Sequence, residues 1–108
     1  MAQAEIFAGV CGFTTQVAAH KNDADQVALT IESDCKAIQR LAATLTEVDP
    51  FREFTFRGQG PLTLQLASKY CSHAACPVPT GIIKVVEVEA GLALPADVGI
   101  KVSKDQDR

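Results

Sequence analysis

The sequence predicts an α+β fold, a three- to four-stranded and mostly antiparallel sheet with three helices packed on one face. Apolar and polar residues alternate on either side of a polar turn at residues 21–25, which is typical of an antiparallel hairpin. Further along, apolar residues recur at intervals of three and four, which indicates amphipathic helices. A length of 108 residues fits one domain, which we assign to residues 1–103, followed by a polar tail at residues 104–108.

Four segments have the pattern of strands. Residues 4–8 are predicted to form a short strand that ends at Gly9, and residues 13–19 are β-branched and roughly alternating. Residues 26–32 alternate between apolar and polar positions, and we expect them to pair with residues 13–19. Because residues 98–102 alternate in the same way, the sequence also predicts a last strand there.

Three segments have the pattern of helices. The first begins after Ser33 or Asp34, either of which suits an N-cap, and its apolar residues continue to residue 48, before Pro50. The second follows Pro61 and extends to residue 70. The third runs from residue 79 or 80 to about residue 90, and its apolar surface is typical of a helix buried against a sheet. Residues 51–60 stay ambiguous, because a strand-like alternation is followed by two glycines.

The composition excludes several classes of partner. Ten Lys and Arg against thirteen Asp and Glu give a net charge of −3, whereas nucleic-acid binding needs clustered basic residues, so we expect no nucleic-acid partner. The longest apolar stretch, residues 82–94, is broken by Lys84, Glu87 and Glu89, so we expect no membrane partner. The first residues lack the charged and apolar regions of a secretory signal, and we therefore expect a cytoplasmic protein.

Four cysteines, Cys11, Cys35, Cys71 and Cys76, each stand at the boundary of a predicted element. In a reducing compartment such residues are more often metal ligands or redox thiols than structural disulfides. Strand ends and helix starts can meet at one rim of a sheet, where helix N-termini stabilise anions. We therefore predict a metal site of these four cysteines gathered at one rim, with His73 as an alternative ligand. Zn²⁺ and an iron–sulfur cluster both accept four thiolates, so the choice between them stays open.

Two other functions remain open. A thiol redox protein would use Cys35 as its nucleophile and Cys76 as its resolving thiol. A non-catalytic interaction module, either a homodimer or the partner of another protein, would only pack its cysteines, with the apolar third helix as an interface. No phosphate-binding loop and no acid–base pair of carboxylates is evident in the sequence, so we assign no catalytic residue and favour a non-enzymatic role.

Several motifs carry a resemblance to a known family. They are Gly-Val-Cys-Gly-Phe at residues 9–13, Ser-Asp-Cys at 33–35, Cys-Pro-Val-Pro-Thr-Gly-Ile-Ile-Lys at 76–84 and Gly-Leu-Ala-Leu-Pro at 91–95. Through them the chain resembles, over nearly its whole length, a family of small uncharacterised four-cysteine proteins of anaerobic microbes. That family has no assigned activity, so this resemblance adds no function.

The layout is also distantly similar to two other groups. TSCPD domains pair a Gly-Val-Cys start with a Cys-Pro motif near a final helix and are associated with metal binding through cysteines. U-type iron–sulfur scaffold proteins ligate a cluster through cysteines placed as Cys11, Cys35 and Cys76 are here. The scaffold's aspartate near the first cysteine is missing after Cys11, and its histidine before the third cysteine is Ala75 in this chain. The resemblance implies a metal or iron–sulfur site without the scaffold's complete ligand set.

Overall fold

In the computed structural model, which describes residues 1–105, the chain forms a four-stranded antiparallel sheet and four α-helices. The strands, in the order β1-β2-β3-β4 across the sheet, are β1 (Ala2–Phe7), β2 (Thr14–Lys21), β3 (Val27–Ser33) and β4 (Glu47–Val48). The helices are α1 (Lys36–Thr44), α2 (Pro50–Glu53), α3 (Leu62–Tyr70) and α4 (Val78–Glu89). The predicted α+β class is therefore confirmed.

The core lies between one face of the sheet and the helices. On β2, Thr15, Val17 and Ala19 are buried, whereas Thr14 and Gln16 are exposed, as the two-residue period of a strand requires. Helix α4 packs against β1 and β2, and helix α1 packs against β3. The buried residues of α4 are Val78, Pro79, Ile82, Val85 and Val86. The prediction of a helix buried against the sheet is confirmed by this packing.

The strand register defines two ends of the sheet. Thr15 lies opposite Ser33, so the turn between β1 and β2 and the carboxyl end of β3 share one end, which we call the near end. At the opposite end, the far end, Lys21 lies opposite Val27. Gly81, near the start of α4, lies against Ile6 close to the end of β1. The carboxylate of Glu89, the last residue of α4, accepts a hydrogen bond from the N–H of Ala2 at the start of β1. Helix α4 therefore runs from the near end to the far end.

Gly81 allows α4 to approach β1 closely. A Cβ atom at this position would lie 2.7 Å from Cγ1 of Ile6 and closer still to its Cδ1. Since such separations are far below van der Waals contact, a larger residue would have to displace Ile6 or the helix. The absence of a side chain at position 81 thus sets the distance between the amino end of α4 and the sheet.

The carboxylate of Glu53 is buried at the start of α3. Its oxygens accept hydrogen bonds from the backbone N–H of Leu62 at 2.7 Å and of Thr63 at 3.0 Å, and from the Thr63 hydroxyl. These N–H groups have no partner within the helix, so the carboxylate caps α3 from a distant position in the sequence. Only 1% of Glu53 is exposed, which makes this cap part of the interior.

The structure corrects two predicted elements. The first helix does not reach residue 48: α1 ends at Thr44, and Val48 pairs with Val27 as part of β4. Leu45 and Val48 are both buried, so their apolar character reflects contact with the core and does not indicate a helical conformation. The predicted last strand at residues 98–102 is also wrong, because this segment joins no sheet among the residues that the structure describes.

The ambiguous segment 51–60 contains the end of α2 and a turn, with Asp49 capping α2 through the N–H of Phe51 at 3.0 Å. The division into a domain at residues 1–103 and a tail at 104–108 stays a prediction. Residues 106–108 of that tail lie outside the described residues.

Candidate thiol and metal site

Cys35 is held at the near end of the sheet by Ser33. It is the N-cap residue of α1, a position that the sequence assigned to Ser33 or Asp34. Its N–H donates to Oγ of Ser33 at 3.2 Å, and the same oxygen accepts a hydrogen bond from Oγ1 of Thr15 at 2.9 Å. Ser33 therefore positions the cysteine against the sheet, a role that was not predicted. The half-buried Cys35 packs against the hydrophobic core.

Cys71 and Cys76 border the loop between α3 and α4, as predicted. Cys71 follows the last residue of α3, and its N–H donates to the carbonyl of Ala67 at 2.8 Å. The N–H of Cys76 donates to the carbonyl of His73 at 3.3 Å, which closes the loop. Both cysteines are half-buried and pack against the core, whereas His73 is exposed.

Three of the four thiols interact electrostatically. Burial raises the pKa of the Cys71 thiol, and the neighbouring Cys76 and Cys35 raise it further, because a second and third negative charge in one place is unfavourable. Cys71 and Cys76 border one loop, whereas Cys35 precedes α1 and is far from them in the sequence. The fold thus brings together three of the predicted site residues, which we call the thiol cluster.

Cys11 occupies a different environment. It lies in a single turn of 3₁₀ helix, Gly9–Cys11, and it is exposed. The turn closes with an N–H of Gly12 donating to the carbonyl of Gly9 at 2.8 Å, and Gly12 takes a left-handed conformation with φ of 77°. By the register of β1 and β2, this turn lies at the near end, the same end of the sheet as Cys35.

No group of three or more His, Cys, Asp or Glu side chains within residues 1–105 is arranged to hold a metal ion. The gathering of all four cysteines at one rim therefore stays a prediction, as does the metal site formed by Cys11, Cys35, Cys71 and Cys76. The choice between Zn²⁺ and an iron–sulfur cluster likewise stays open.

An open groove of about 460 Å³ runs beside the thiol cluster. Its walls come from α3, the loop and the first turn of α4, and include Leu64, Cys71, His73, Cys76 and Thr80. Two of the three clustered thiols therefore face a space that solvent or a small partner can enter. Neither the periodicity nor the cysteine spacing of the sequence indicates this groove.

No helix within residues 1–105 has the length and apolar character needed to cross a membrane, and the cytoplasmic location stays a prediction.

Comparisons with known proteins locate the chain in one family. No curated protein and no solved structure matches the chain. The distant likeness to TSCPD domains and U-type scaffolds, and the anaerobic source, thus remain predictions, while the likeness to an uncharacterised family is confirmed. The matching model spans residues 2–102, and the chain belongs to the family of unknown function DUF6951.

Proposed function

We propose that this protein binds a thiophilic metal ion or cluster through Cys35, Cys71 and Cys76, with Cys11 as the fourth ligand. The observation that carries the proposal is the thiol cluster itself: the half-buried Cys71 and Cys76 border one loop and line one groove, and the charge of the half-buried Cys35 acts on Cys71. Zn²⁺ and iron–sulfur clusters both prefer such sulfur ligands. The role is storage, transfer or structural support, and it needs no catalytic residue.

The electrostatics of the cluster support a cation as its partner. Deprotonating Cys71 is unfavourable because the thiol is partly buried and has two other thiols beside it. A divalent cation replaces the protons and offsets the repulsion between thiolates, so metal binding and proton release are coupled. Cys35 also lies at the N-terminus of α1, and Cys76 lies just before that of α4. Both helix ends present N–H groups that stabilise negative charge.

Metal binding in this account draws the ligands together. Since the described residues hold no assembled group of three ligands, the thiol side chains must rotate towards the ion. Cys11 is exposed on its turn, so its side chain must turn towards the other thiols. The loop that ends at Cys76 is closed by the 3.3 Å backbone hydrogen bond from the N–H of Cys76 to the carbonyl of His73. The free energy of ion binding would then also stabilise the folded near end.

The test is elemental analysis and absorption spectroscopy of protein purified without oxygen. We expect one metal centre per chain, and Cys35→Ser, Cys71→Ser and Cys76→Ser should each remove most of it. Ser68→Ala is the matched control, because Ser68 lines the same groove but offers no thiolate. Colourless, metal-free protein that is folded, has four reactive thiols and does not take up added Zn²⁺ or iron would refute the proposal.

Thiol redox chemistry is the second candidate, because the groove gives a partner disulfide access to Cys76. In this candidate the Cys35 thiolate, which lies outside the groove lining, would attack one sulfur of the partner disulfide and release a first thiolate. Cys76 would then attack the mixed disulfide, release the second thiolate and leave a Cys35–Cys76 disulfide. Selective alkylation at neutral pH distinguishes the candidates. If Cys35 reacts no faster than a small model thiol, the redox function is wrong.

A further inference from the structure

We infer that the C-terminal segment, residues 94–103, is an exchanged strand: in a symmetric dimer it pairs with the edge strand β1 of a second copy of this chain. The inference concerns residues outside the thiol cluster and does not depend on the proposed function. It rests on the segment, on the edge strand, and on the fit between them.

The C-terminal segment presents an apolar face to solvent. Val98 is 63% exposed, Ile100 79% and Val102 89%, and none of the segment lies in a helix or strand. In an extended conformation these alternate residues lie on one side, with Gly99 and Lys101 on the other. The molecule measures 56 Å along one axis against 28 and 27 Å along the others. A contiguous apolar surface of this kind usually marks an interaction site.

Strand β1 leaves one side of the sheet open. Among residues 1–105 it pairs only with β2, so within that range the backbone groups along its outer side have no partner strand. Its core-facing residues Ala2, Ala4 and Ile6 are only half-buried, whereas Val17 and Ala19 on the neighbouring strand are 2% and 0% exposed. The hydrophobic core is therefore uncovered along this edge, and one more strand would complete it.

The two surfaces match in side-chain pattern and in charge. When Val98, Ile100 and Val102 face the same side as Ala4 and Ile6, they continue the apolar face of the sheet under α4. The polar residues of the segment then lie beside the exposed residues of β1. There Lys101 can approach Glu5, and opposite charges on adjacent strands stabilise the pairing.

A second copy of the chain is the partner that these features select. Each chain carries both an uncovered edge and a strand-like segment, so one twofold axis satisfies two edges and two segments at once. The segment follows α4, which ends at the far end of the sheet, and in this structure its apolar residues are exposed and do not cover the chain's own edge. The buried face of α4, by contrast, is already occupied by the sheet, so that helix is not the interface.

The test compares the molar mass of the full chain and of two lysine variants by sedimentation equilibrium. Wild type should be a dimer, and Ile100→Lys should be a folded monomer that keeps its helix content and loses only the strand content of the exchanged segment, because Ile100 is exposed within the single chain. Ser103→Lys is the matched control: it adds the same charge on the opposite side of the segment and should remain dimeric.

Charge exchange tests the register of the pairing. Glu5→Lys and Lys101→Glu should each weaken dimerisation by about fivefold, and the double variant should recover it. A monomeric wild type would overturn the inference. So would a dimer that Ile100→Lys leaves intact but that Phe56→Ser dissociates, since Phe56 is 83% exposed on another surface.

Discussion

The two ends of the sheet are built from opposite chemistry. At the far end, the Glu89 carboxylate of α4 accepts hydrogen bonds from the N–H of Ala2 at 2.8 Å and of Lys21 at 2.9 Å. At the near end, the elements meet around thiols, which form weak hydrogen bonds. A carboxylate with directed bonds fixes geometry, whereas a cluster of thiols stays able to rearrange around a ligand. The comparison teaches that directed hydrogen bonds to one carboxylate fix the far end, whereas the thiols of the near end are the groups to which we assign the proposed chemistry.

The pKa values of the titratable groups at the two ends are also shifted in opposite directions. The two N–H donors, Lys21 first, hold the pKa of Glu89 below its ordinary value, with a contribution from the N-terminal ammonium group 3.6 Å away. Burial and two neighbouring thiols raise the pKa of Cys71. Acid should therefore weaken the far end, and alkali should weaken the metal-free near end.

The largest effect is expected where α4 meets the near end. Gly81→Val should lower the free energy of unfolding by about 1–3 kcal/mol, because the new side chain overlaps Ile6. It should also weaken metal uptake, since Cys76 precedes this turn of the helix. Denaturant unfolding and metal titration measure the two effects. Gly99→Val is the matched control, with open space around the added atoms, and should change neither.

Loss of the far-end bonds is expected to be the next largest effect. Glu89→Ala should cost about 1–2 kcal/mol of stability, because two backbone donors lose a charged acceptor. Metal uptake should stay unchanged, since the thiol cluster lies at the other end. Glu87→Ala, which removes a nearby carboxylate on the same helix, should have little effect on unfolding. Equal losses in both variants would contradict a specific role for Glu89.

The loss of stability in acid should be a smaller effect, and it tests the ionisation of the same carboxylate, that of Glu89. Because the folded pKa of Glu89 lies below its ordinary value of 4.5, its contribution is complete above that pH. It is lost as the pH falls through the folded pKa. The difference in unfolding free energy between wild type and Glu89→Gln should thus shrink as the solution is acidified. A difference that is constant with pH would show that ionisation plays no part.

The loss of stability in alkali should be the smallest effect. The raised pKa of Cys71 means that the folded state holds this proton more tightly than the unfolded state, whose value is near 9.0. Metal-free protein should therefore lose stability as the pH rises above that value. Cys71→Ser should reduce this loss, and bound Zn²⁺ should abolish it. Thermal unfolding from pH 7 to pH 10 provides the measurement.

Local patterns predicted most of the fold. The alternation in β2 and β3 and the spacing of apolar residues in α1 and α3 reflect contacts with one continuous core, so they are visible in sequence. Strand β4 has only two residues, which is too short for any period to appear. Nothing local marks Glu53 for burial, because the N–H groups that it caps belong to a later helix.

Residues 98–102 show that a local pattern alone does not determine whether a strand forms. Their alternation is genuine, yet a strand exists only where another strand pairs with it, and pairing depends on the whole fold or on a second chain. The cysteines repeat this lesson. Their positions at element boundaries predicted that the thiols would gather at one rim. The charges of Cys76 and Cys35 act on Cys71, and the gathering of all four thiols stays a prediction. The position of Cys11 depends on how its turn is oriented, which spacing alone does not determine.

Titration of metal-free protein with Zn²⁺, with released protons counted near pH 7.5, tests the central claim most directly. A thiol must lose its proton to become a metal ligand, and the raised pKa of Cys71 keeps that thiol protonated at this pH, so metal binding releases protons. The account predicts saturation at one equivalent with release of about three to four protons, and loss of this signal in the Cys71→Ser variant. Uptake without proton release, or no uptake by the folded chain, would contradict it.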